Sequence, residues 1–259
     1  MNILAVSDLH GRSLSDLLHR ETKFDLLAIL GDYDKVTSMH QVMRYDRKYK
    51  LSSSGKKVIA LPGNHERALV DNVVIRMIQG NMGDPNVRAR NIAEFDRFYE
   101  RFQSDSSAKE YVGSLLSKHS VRMNIDEPRF SDAYRALLIH GALDGSSVPD
   151  RYSGARQAEL WYRLETPEDH ENNFKRMEQQ RINVMIRGHD GIPEFAVKKN
   201  EDINITSFTN FPAEAFLDPS ALQTITVGTY KHGCYVLIET NPPGYRNPIV
   251  RFERLPRLI

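Results

Sequence analysis

The segment that most constrains the fold of this chain is residues 61–67, which read Leu-Pro-Gly-Asn-His-Glu-Arg. It follows a short β-prone run at residues 57–60 and precedes a helical pattern, so the sequence predicts a loop from a strand to a helix. Loops at the carboxyl ends of buried strands are where α/β proteins place their chemistry. Gly63 permits a tight turn, while Asn64 and His65 offer a carboxamide oxygen and an imidazole. Taken alone, the segment is also compatible with an ordinary turn.

The order of strand, polar loop and helix occurs three times in the first part of the chain. Residues 2–6 are mostly apolar and lead to Asp8 and His10, and residues 25–30 lead to Asp32 in the same way. The segment at 61–67 completes the series. Short apolar runs that end in polar loops indicate buried strands in one sheet, whose loops meet at a common edge.

The rest of the chain continues this α/β pattern in a different proportion. A mainly helical excursion is predicted at about residues 67–120, followed by strands that end at His140 and His189. Thr166 and Pro167, with acidic residues directly after them, predict the start of a further helix. The remainder is almost entirely β-prone, so we expect a second sheet to follow the first half.

Length and charge limit the class of protein. A chain of 259 residues fits a single domain, which we expect to span residues 1–259. The formal net charge is +1, so no overall field recruits nucleic acid, and we do not expect nucleic acid as a partner. The apolar run at residues 26–30 is far shorter than the roughly 20 residues of a membrane helix. The start of the chain has no basic leader, so we expect a cytoplasmic protein that does not bind membranes.

Five predicted strand ends carry polar side chains that metals accept. Each alone has an ordinary interpretation, since aspartates often cap helices and single histidines are often structural. Their shared position after apolar strands favours one metal site instead. Carboxylate, imidazole and carboxamide donors without a thiolate suit manganese, iron or zinc, and one carboxylate can bridge two such ions. The side chains at these strand ends are Asp8 and His10, Asp32, Asn64 and His65, His140, and His189.

The order of these motifs resembles the calcineurin-like metallophosphoesterases. The motifs are Asp-x-His, Gly-Asp, Gly-Asn-His-Glu, His-Gly and Gly-His, and they extend from Asp8 to His189. The resemblance implies a four-layer α-β-β-α sandwich, in which helices flank two mixed β-sheets. It also implies a binuclear centre at the strand ends, for which we expect two divalent ions, manganese first and iron or zinc as alternatives.

The resemblance further implies a role for each residue of the centre. Asp34 would orient His65, and His65 would be the general acid that protonates the departing oxygen. The other six residues would bind metal: Asp8 and His10 the first ion, Asp32 both ions as a bridge, and Asn64, His140 and His189 the second ion.

Residues 186–190 resemble one branch of the superfamily in particular. Many members have Gly-His-x-His at this point, but here Gly191 stands at the second histidine position. The sequence Ile-Arg-Gly-His-Asp looks like the Arg-x-His motif of the serine/threonine protein phosphatases. The resemblance therefore places the chain nearest to that branch.

The substrate-binding residues depart from the pattern of this branch. Its Gly-Asp-x-Val-Asp-Arg-Gly motif is shortened here to residues 31–35, Gly-Asp-Tyr-Asp-Lys, and lacks the phosphate-binding arginine. Lys35 is a candidate substitute that supplies charge without bidentate geometry. Arg187 is predicted to contact the substrate phosphate, and Arg67 is a further candidate that is equally compatible with the start of a helix.

The function that the resemblance implies is hydrolysis of phosphate monoesters by a metal-bridging hydroxide. The expected substrate is a phosphoprotein or a small phosphate ester. Alternatives within the superfamily are a hydrolase of nucleotides or diadenosine tetraphosphate and a phosphodiesterase. A non-catalytic scaffold is a third class, but the complete set of metal ligands together with the acid favours an enzyme.

Overall fold

The computed structural model describes residues 1–50, 55–71, 85–125, 134–143, 160 and 162–256. The helices in these ranges are α1 (Ser15–Arg20), α2 (Val36–Lys50), α3 (Asn64–Asp71), α4 (Pro85–Ser104), α5 (Ser106–Leu116) and α6 (Pro167–Gln179). The strands are β1 (Asn2–Val6), β2 (Leu26–Leu30), β3 (Lys57–Leu61), β4 (Ser120–Asn124), β5 (Arg135–Ile139), β6 (Val184–Arg187), β7 (Glu194–Lys199), β8 (Asp202–Ser207), β9 (Ala213–Phe216), β10 (Leu222–Thr226), β11 (Cys234–Glu239) and β12 (Ile249–Arg254). None of the described helices is both long and apolar enough to cross a membrane.

The strands form two mixed sheets of six strands each. The first sheet has the order β3-β2-β1-β11-β12-β9, and the second has the order β4-β5-β6-β10-β7-β8. In the first sheet β1, β2 and β3 are parallel, and in the second β5, β6 and β10 are parallel. Each sheet therefore collects the carboxyl ends of three parallel strands at one edge.

The sequence predicted that the second sheet follows the first along the chain, and this prediction is wrong. The late strands β9, β11 and β12 join the first sheet, while β4, β5 and β6 belong to the second. The reason is the burial of β1, which is apolar on both faces and pairs with β2 on one side only. The strand β11 covers its other side in antiparallel register, with Asn2 opposite Glu239 and Ala5 opposite Val236.

Successive side chains of each strand point to opposite faces of its sheet, and they contribute to three separate buried layers. Ile3 of β1 packs between the sheets with Leu138 of β5. Leu4, the next residue of β1, faces the other way and packs with residues of helices such as Met39 of α2. On the outer face of the second sheet, Phe174 of α6 joins a third buried cluster. This alternation follows from the two-residue period of a strand, and it confirms the four-layer sandwich.

The predicted helical excursion is confirmed where the chain is described. Helices α3, α4 and α5 cover residues 64–71 and 85–116, and residues 72–84 lie outside the described part. The predicted start of α6 is also confirmed. Thr166 Oγ1 accepts a hydrogen bond from Asp169 N at 3.2 Å, and Asp169 Oδ2 accepts one from Thr166 N at 2.8 Å. With Pro167 at the first helical position, this is a capping box.

Candidate metal centre

The loops after the parallel strands meet where the two sheets face each other. In the first sheet the loops after β1 and β2 are joined by the backbone bonds Asp8 N–Gly31 O and His10 N–Asp32 O, both 3.1 Å. The second sheet contributes the residues after β5 and β6. One link between the sheets is the bond from His189 N to Asp8 Oδ2, at 3.0 Å. The site therefore combines side chains that are distant in the chain.

The structure brings the six predicted metal ligands together in two groups that share Asp32. Within each group, the ligand atoms lie within 4.8 Å of one another. Asn64 joins the second group, since its Oδ1 lies 2.9 Å from His140 Nε2. These carboxylate, imidazole and carboxamide donors fit borderline divalent cations, so the residues could hold two such ions. The two groups are Asp8, His10 and Asp32, and Asp32, His140 and His189.

The side chain of His140 shows why a cation fits here. Its Nδ1 donates to Leu30 O at 2.5 Å, which leaves Nε2 facing the centre. Nε2 lies 3.2 Å from His189 Nδ1 and 3.4 Å from Asp32 Oδ1, in addition to Asn64 Oδ1. Several electron-pair donors thus converge on one point in a buried space, an arrangement that a cation stabilises.

The backbone of the site is held in a conformation that residues other than glycine rarely adopt. Five of its residues have positive φ angles in the left-handed region, which costs free energy for residues with a Cβ atom. Such strain persists only where surrounding contacts impose it, and it concentrates at functional sites. The residues and their φ angles are Asp8 (53°), His10 (43°), Asp32 (58°), Asp34 (56°) and His189 (68°).

Asp34 lies between two histidines. One carboxylate oxygen bonds His65 Nδ1, which is the predicted contact, and the other bonds His10 Nδ1, which was not predicted. The Nε2 of His65 faces the centre, 3.6 Å from Asp32 Oδ2. The His65 side chain is 43% exposed, whereas the His140 side chain has no exposure. His65 therefore lies at the open side of the site, where a substrate can reach it.

Burial and neighbouring charged groups determine which side chains of the centre are ionised. Burial alone would raise the pKa of Asp32, but His140 and His65 outweigh it and hold that pKa well below its ordinary value. Burial opposes charge on His140, but Asp32 outweighs it and raises the pKa of His140 to about 9. Burial, with the positive His140 nearby, lowers the pKa of His189 well below its ordinary value. Asp32 is thus ionised and His189 neutral, the forms that bind metal, while a metal would displace a proton from His140.

Glu66 is a residue of the site to which sequence reasoning assigned no role. It has no exposure, and its two carboxylate oxygens accept backbone bonds from Asp32 N, Tyr33 N and Gly63 N, each 2.8 Å long. Burial, with the nearby Asp32 as the second cause, raises its pKa to about 7. Glu66 therefore fixes the loop that carries Asp32. The available signal was its place in the Gly-Asn-His-Glu motif, directly after the residues considered as donors.

Close approach of the backbone explains two glycines of the motifs. A Cβ atom on Gly63 would lie 2.0 Å from Asp32 Oδ1, and one on Gly188 would lie 1.7 Å from Ser7 Oγ. The Ser7 hydroxyl in turn bonds Asp8 Oδ2. Any larger residue at these two positions would displace a carboxylate or the serine that supports it. Only glycine therefore fits at these two positions.

The three predicted substrate-binding residues lie in different settings. Lys35 is exposed, and its side chain runs over Gly11, with Nζ 2.9 Å from where a Gly11 Cβ would be. Arg67 belongs to α3 and is 8% exposed. The structure does not bring Arg187 to the open side of the site, because its side chain has no exposure and its guanidinium bonds protein groups on several sides. Contact between Arg187 and substrate stays a prediction.

Comparisons with known proteins identify a family and a similar fold. Residues 1–204 match the family model described as calcineurin-like phosphoesterase. A metallophosphoesterase structure from Sphaerobacter thermophilus is 18% identical with a TM-score of 0.61, and the alignment covers 99% of this chain and 89% of that one. Vps29 from Chaetomium thermophilum is 7% identical with a TM-score of 0.42, covering 100% and 97%. No curated protein sequence is significantly similar to this chain. The Sphaerobacter structure shares the fold described above.

Proposed function

Since this chain belongs to the calcineurin-like phosphoesterases, a family of metal-dependent phosphoester hydrolases, we propose that it hydrolyses phosphate monoesters with two divalent ions, preferably manganese. The observation that carries this proposal is the position of Asp32 in both groups of metal-binding side chains. A carboxylate in that position suits a bridge between two ions. When bound, two such ions clamp phosphoryl oxygens and lower the pKa of a water molecule between them.

The residues of the chain itself supply the proton and its orientation. Burial opposes charge on His65, but Asp32 and Asp34 outweigh it and raise the pKa of His65 well above its ordinary value. His65 is therefore protonated at neutral pH. As the bond from phosphorus to the departing oxygen breaks, Nε2 of His65 gives its proton to that oxygen, while Asp34 holds Nδ1 and fixes the ring.

Charge favours a monoester over a diester. A monoester dianion has one more charged oxygen than a diester, and the exposed ammonium of Lys35, which lies over Gly11, can contact it. Gly191 in the place of a second histidine, and the Arg-x-His motif before it, support a serine/threonine protein phosphatase-like activity. Diadenosine tetraphosphate and nucleotides are the alternative substrates.

The test compares wild type and His65→Asn, each stripped of metal and then loaded with Mn²⁺. Wild type should prefer p-nitrophenyl phosphate over its bis ester by at least about tenfold in kcat/KM, which is roughly 1.4 kcal/mol. His65→Asn should keep its metal yet lose roughly 10²- to 10⁴-fold in rate on an alkyl phosphate, and less on the aryl ester, whose leaving group needs less help. His19→Asn, which changes an exposed histidine of α1, is the matched control.

Four results would contradict the proposal. Full activity after metal removal would exclude metal-dependent hydrolysis in this protein. A preference for the bis ester would favour a phosphodiesterase, and faster turnover of diadenosine tetraphosphate than of phosphopeptides would favour the nucleotide alternative. Equal losses of His65→Asn on alkyl and aryl esters would remove His65 as the acid.

A further inference from the structure

A groove of about 600 Å³ lies beside the metal centre. One wall is α2, which contributes Gln41, Arg44 and Arg47, and the other wall includes Gly11 and Ser13 before α1. Gly11 directly follows His10, one of the candidate metal ligands. The groove therefore adjoins the centre at Gly11, and its other wall follows α2.

Two arginines of α2, Arg44 and Arg47, give the groove its positive charge. Arg44 and Arg47 are exposed, and within the described part of the chain neither forms an ion pair. Arg44 lies over the ring of Tyr45, with 5.7 Å between its Cζ and the ring centroid, a contact that keeps its charge. The nearby Asp105 is occupied by His40, with Nε2–Oδ2 at 2.6 Å. No aspartate or glutamate is among the described lining residues.

The walls of the groove are held in place by hydrogen bonds. Gln41 Oε1 accepts from Leu14 N at 3.1 Å, and Gln41 Nε2 donates to Ser13 Oγ at 2.8 Å. These bonds tie the middle of α2 to the segment that begins α1. A ligand therefore meets a formed groove, and less of its binding free energy is lost in ordering the protein.

The spacing of the charges indicates the length of the ligand. At about 1.5 Å per helical residue, Arg44 and Arg47 lie roughly 12 and 17 Å along α2 from its first residue. Lys35 directly precedes that residue, and its side chain lies over Gly11, which follows His10. An extended peptide advances about 3.3 Å per residue, so its side chains about four or five positions from the reacting phosphate would reach the arginines.

The residues that line the groove also favour a peptide over a nucleotide as the ligand. Stable binding of a nucleobase relies on stacking against an aromatic ring or on apolar contact. No Phe, Tyr or Trp lines the groove among the described residues, and the imidazole of His40 is held by Asp105. Met43, the one large apolar member of the lining, is 5% exposed. Polar and cationic side chains suit carboxylates instead.

We propose that this groove binds the acidic flank of a phosphorylated peptide segment whose phosphate is at the metal centre. This inference rests on the proposed phosphatase function and specifies its substrate class. Carboxylates about four or five residues from the phosphorylated side chain pair with Arg44 and Arg47. The groove thus selects acidic phosphopeptides over neutral ones.

The test uses phosphoserine peptides of equal length whose positions four and five residues from the phosphate, on either side, are Glu or Gln. Wild type should prefer an acidic peptide over the neutral one by roughly fivefold in kcat/KM at low salt, and the preference should fall as salt rises. The double variant Arg44→Gln/Arg47→Gln should lose the preference and keep its rate on p-nitrophenyl phosphate. The matched control Lys48→Gln/Arg176→Gln removes two exposed charges outside the groove and should keep the preference.

Fluorescence anisotropy of the same labelled peptides makes the groove testable independently of turnover. If Mn²⁺-loaded protein does not hydrolyse p-nitrophenyl phosphate, the proposed function fails. The peptide affinities alone then decide whether the groove binds acidic peptides. Equal affinity and turnover for acidic and neutral peptides in wild type would overturn the groove proposal. So would an undiminished preference in the double variant, or a loss by that variant confined to nucleotide substrates.

Discussion

At the scale of single residues, Arg187 connects the two histidine loops of the second sheet. It ends β6, with Nε donating to Gly141 O at 2.8 Å and Nη1 bonding Asp190. Gly141 follows His140, and Asp190 follows His189. One buried guanidinium therefore holds the backbone beside both ligands, which suggests that it positions them rather than the substrate.

We expect Arg187→Lys to lower Mn²⁺ affinity by about 10- to 100-fold, because lysine keeps the charge but lacks the planar fork that reaches both loops. Stability should fall by about 3 kcal/mol, since the pair with Asp190 is largely buried. Metal titration and urea unfolding measure the two effects. The control is Arg163→Lys, which changes a half-exposed arginine 3.5 Å from the same Asp190. Normal metal affinity with a raised KM for phosphate esters would instead support the substrate contact predicted from sequence.

At the scale of elements, α6 meets β7 through two pairs of titratable residues, Lys198 with Glu171 and the more buried pair of His170 with Glu194. His170 of α6 is 2% exposed, and its Nε2 lies 3.3 Å from Glu194 Oε1 of β7. Burial, with Arg187 as the second cause, lowers the pKa of His170 to about 4. Burial raises the pKa of Glu194 from 4.5 to about 7, against the attraction of Arg187. The helix and the sheet therefore pack most favourably when neither residue is charged.

This pair predicts a pH dependence of stability that Glu194→Gln should remove. The folded state holds the Glu194 proton more tightly than the unfolded chain, so its stabilising contribution is complete below about pH 4.5 and lost as pH rises through 7. Wild type should therefore lose unfolding free energy relative to Glu194→Gln as the pH rises over this range. The expected change is on the order of 2–3 kcal/mol, followed by urea unfolding from pH 4.5 to 8.

The matched control for this prediction is Glu201→Gln, which removes an exposed carboxylate from the turn after β7. Its difference from wild type should stay constant over the same pH range. If Glu194→Gln behaves like this control, burial does not hold the proton on Glu194 in the folded state.

At the scale of the whole molecule, the candidate metal centre connects the two sheets. Asp8, Asp32 and Asn64 follow strands of the first sheet, and His140 and His189 follow strands of the second. Bound metal would hold these edges together and would neutralise the buried carboxylates. Metal that binds only the folded state stabilises it according to its concentration relative to the dissociation constant.

We expect Mn²⁺ at about 100 times its dissociation constant to stabilise the metal-stripped protein by about 2.7 kcal/mol, or roughly 5–10 °C in Tm. Differential scanning calorimetry measures this shift, and a single transition is expected if residues 1–259 form one domain. Asp32→Asn should abolish most of the shift, whereas Asp202→Asn, at an exposed position of β8, should keep it. An unchanged Tm in wild type would contradict a metal centre that spans the sheets.

The sequence by itself determined the local features of this protein. Asp8, Asp32 and His140 each follow an apolar run, and an apolar run that ends in a polar turn indicates a buried strand wherever that strand pairs. The cap of α6 was equally predictable, because Thr166 and Asp169 bond each other within one turn of the chain. Such signals depend on neighbours a few residues away.

Only the tertiary structure decided which strands pair and which way buried polar side chains turn. Strand β11 lies beside β1 although Asn2 and Glu239 are at opposite ends of the chain, and the β-prone pattern of β11 suits either sheet. The burial of Arg187, the second histidine on Asp34 and the backbone bonds of Glu66 likewise join residues distant in sequence. Strand pairing and the partners of buried charges are selected by the free energy of the assembled core, to which residues far apart in the chain contribute together.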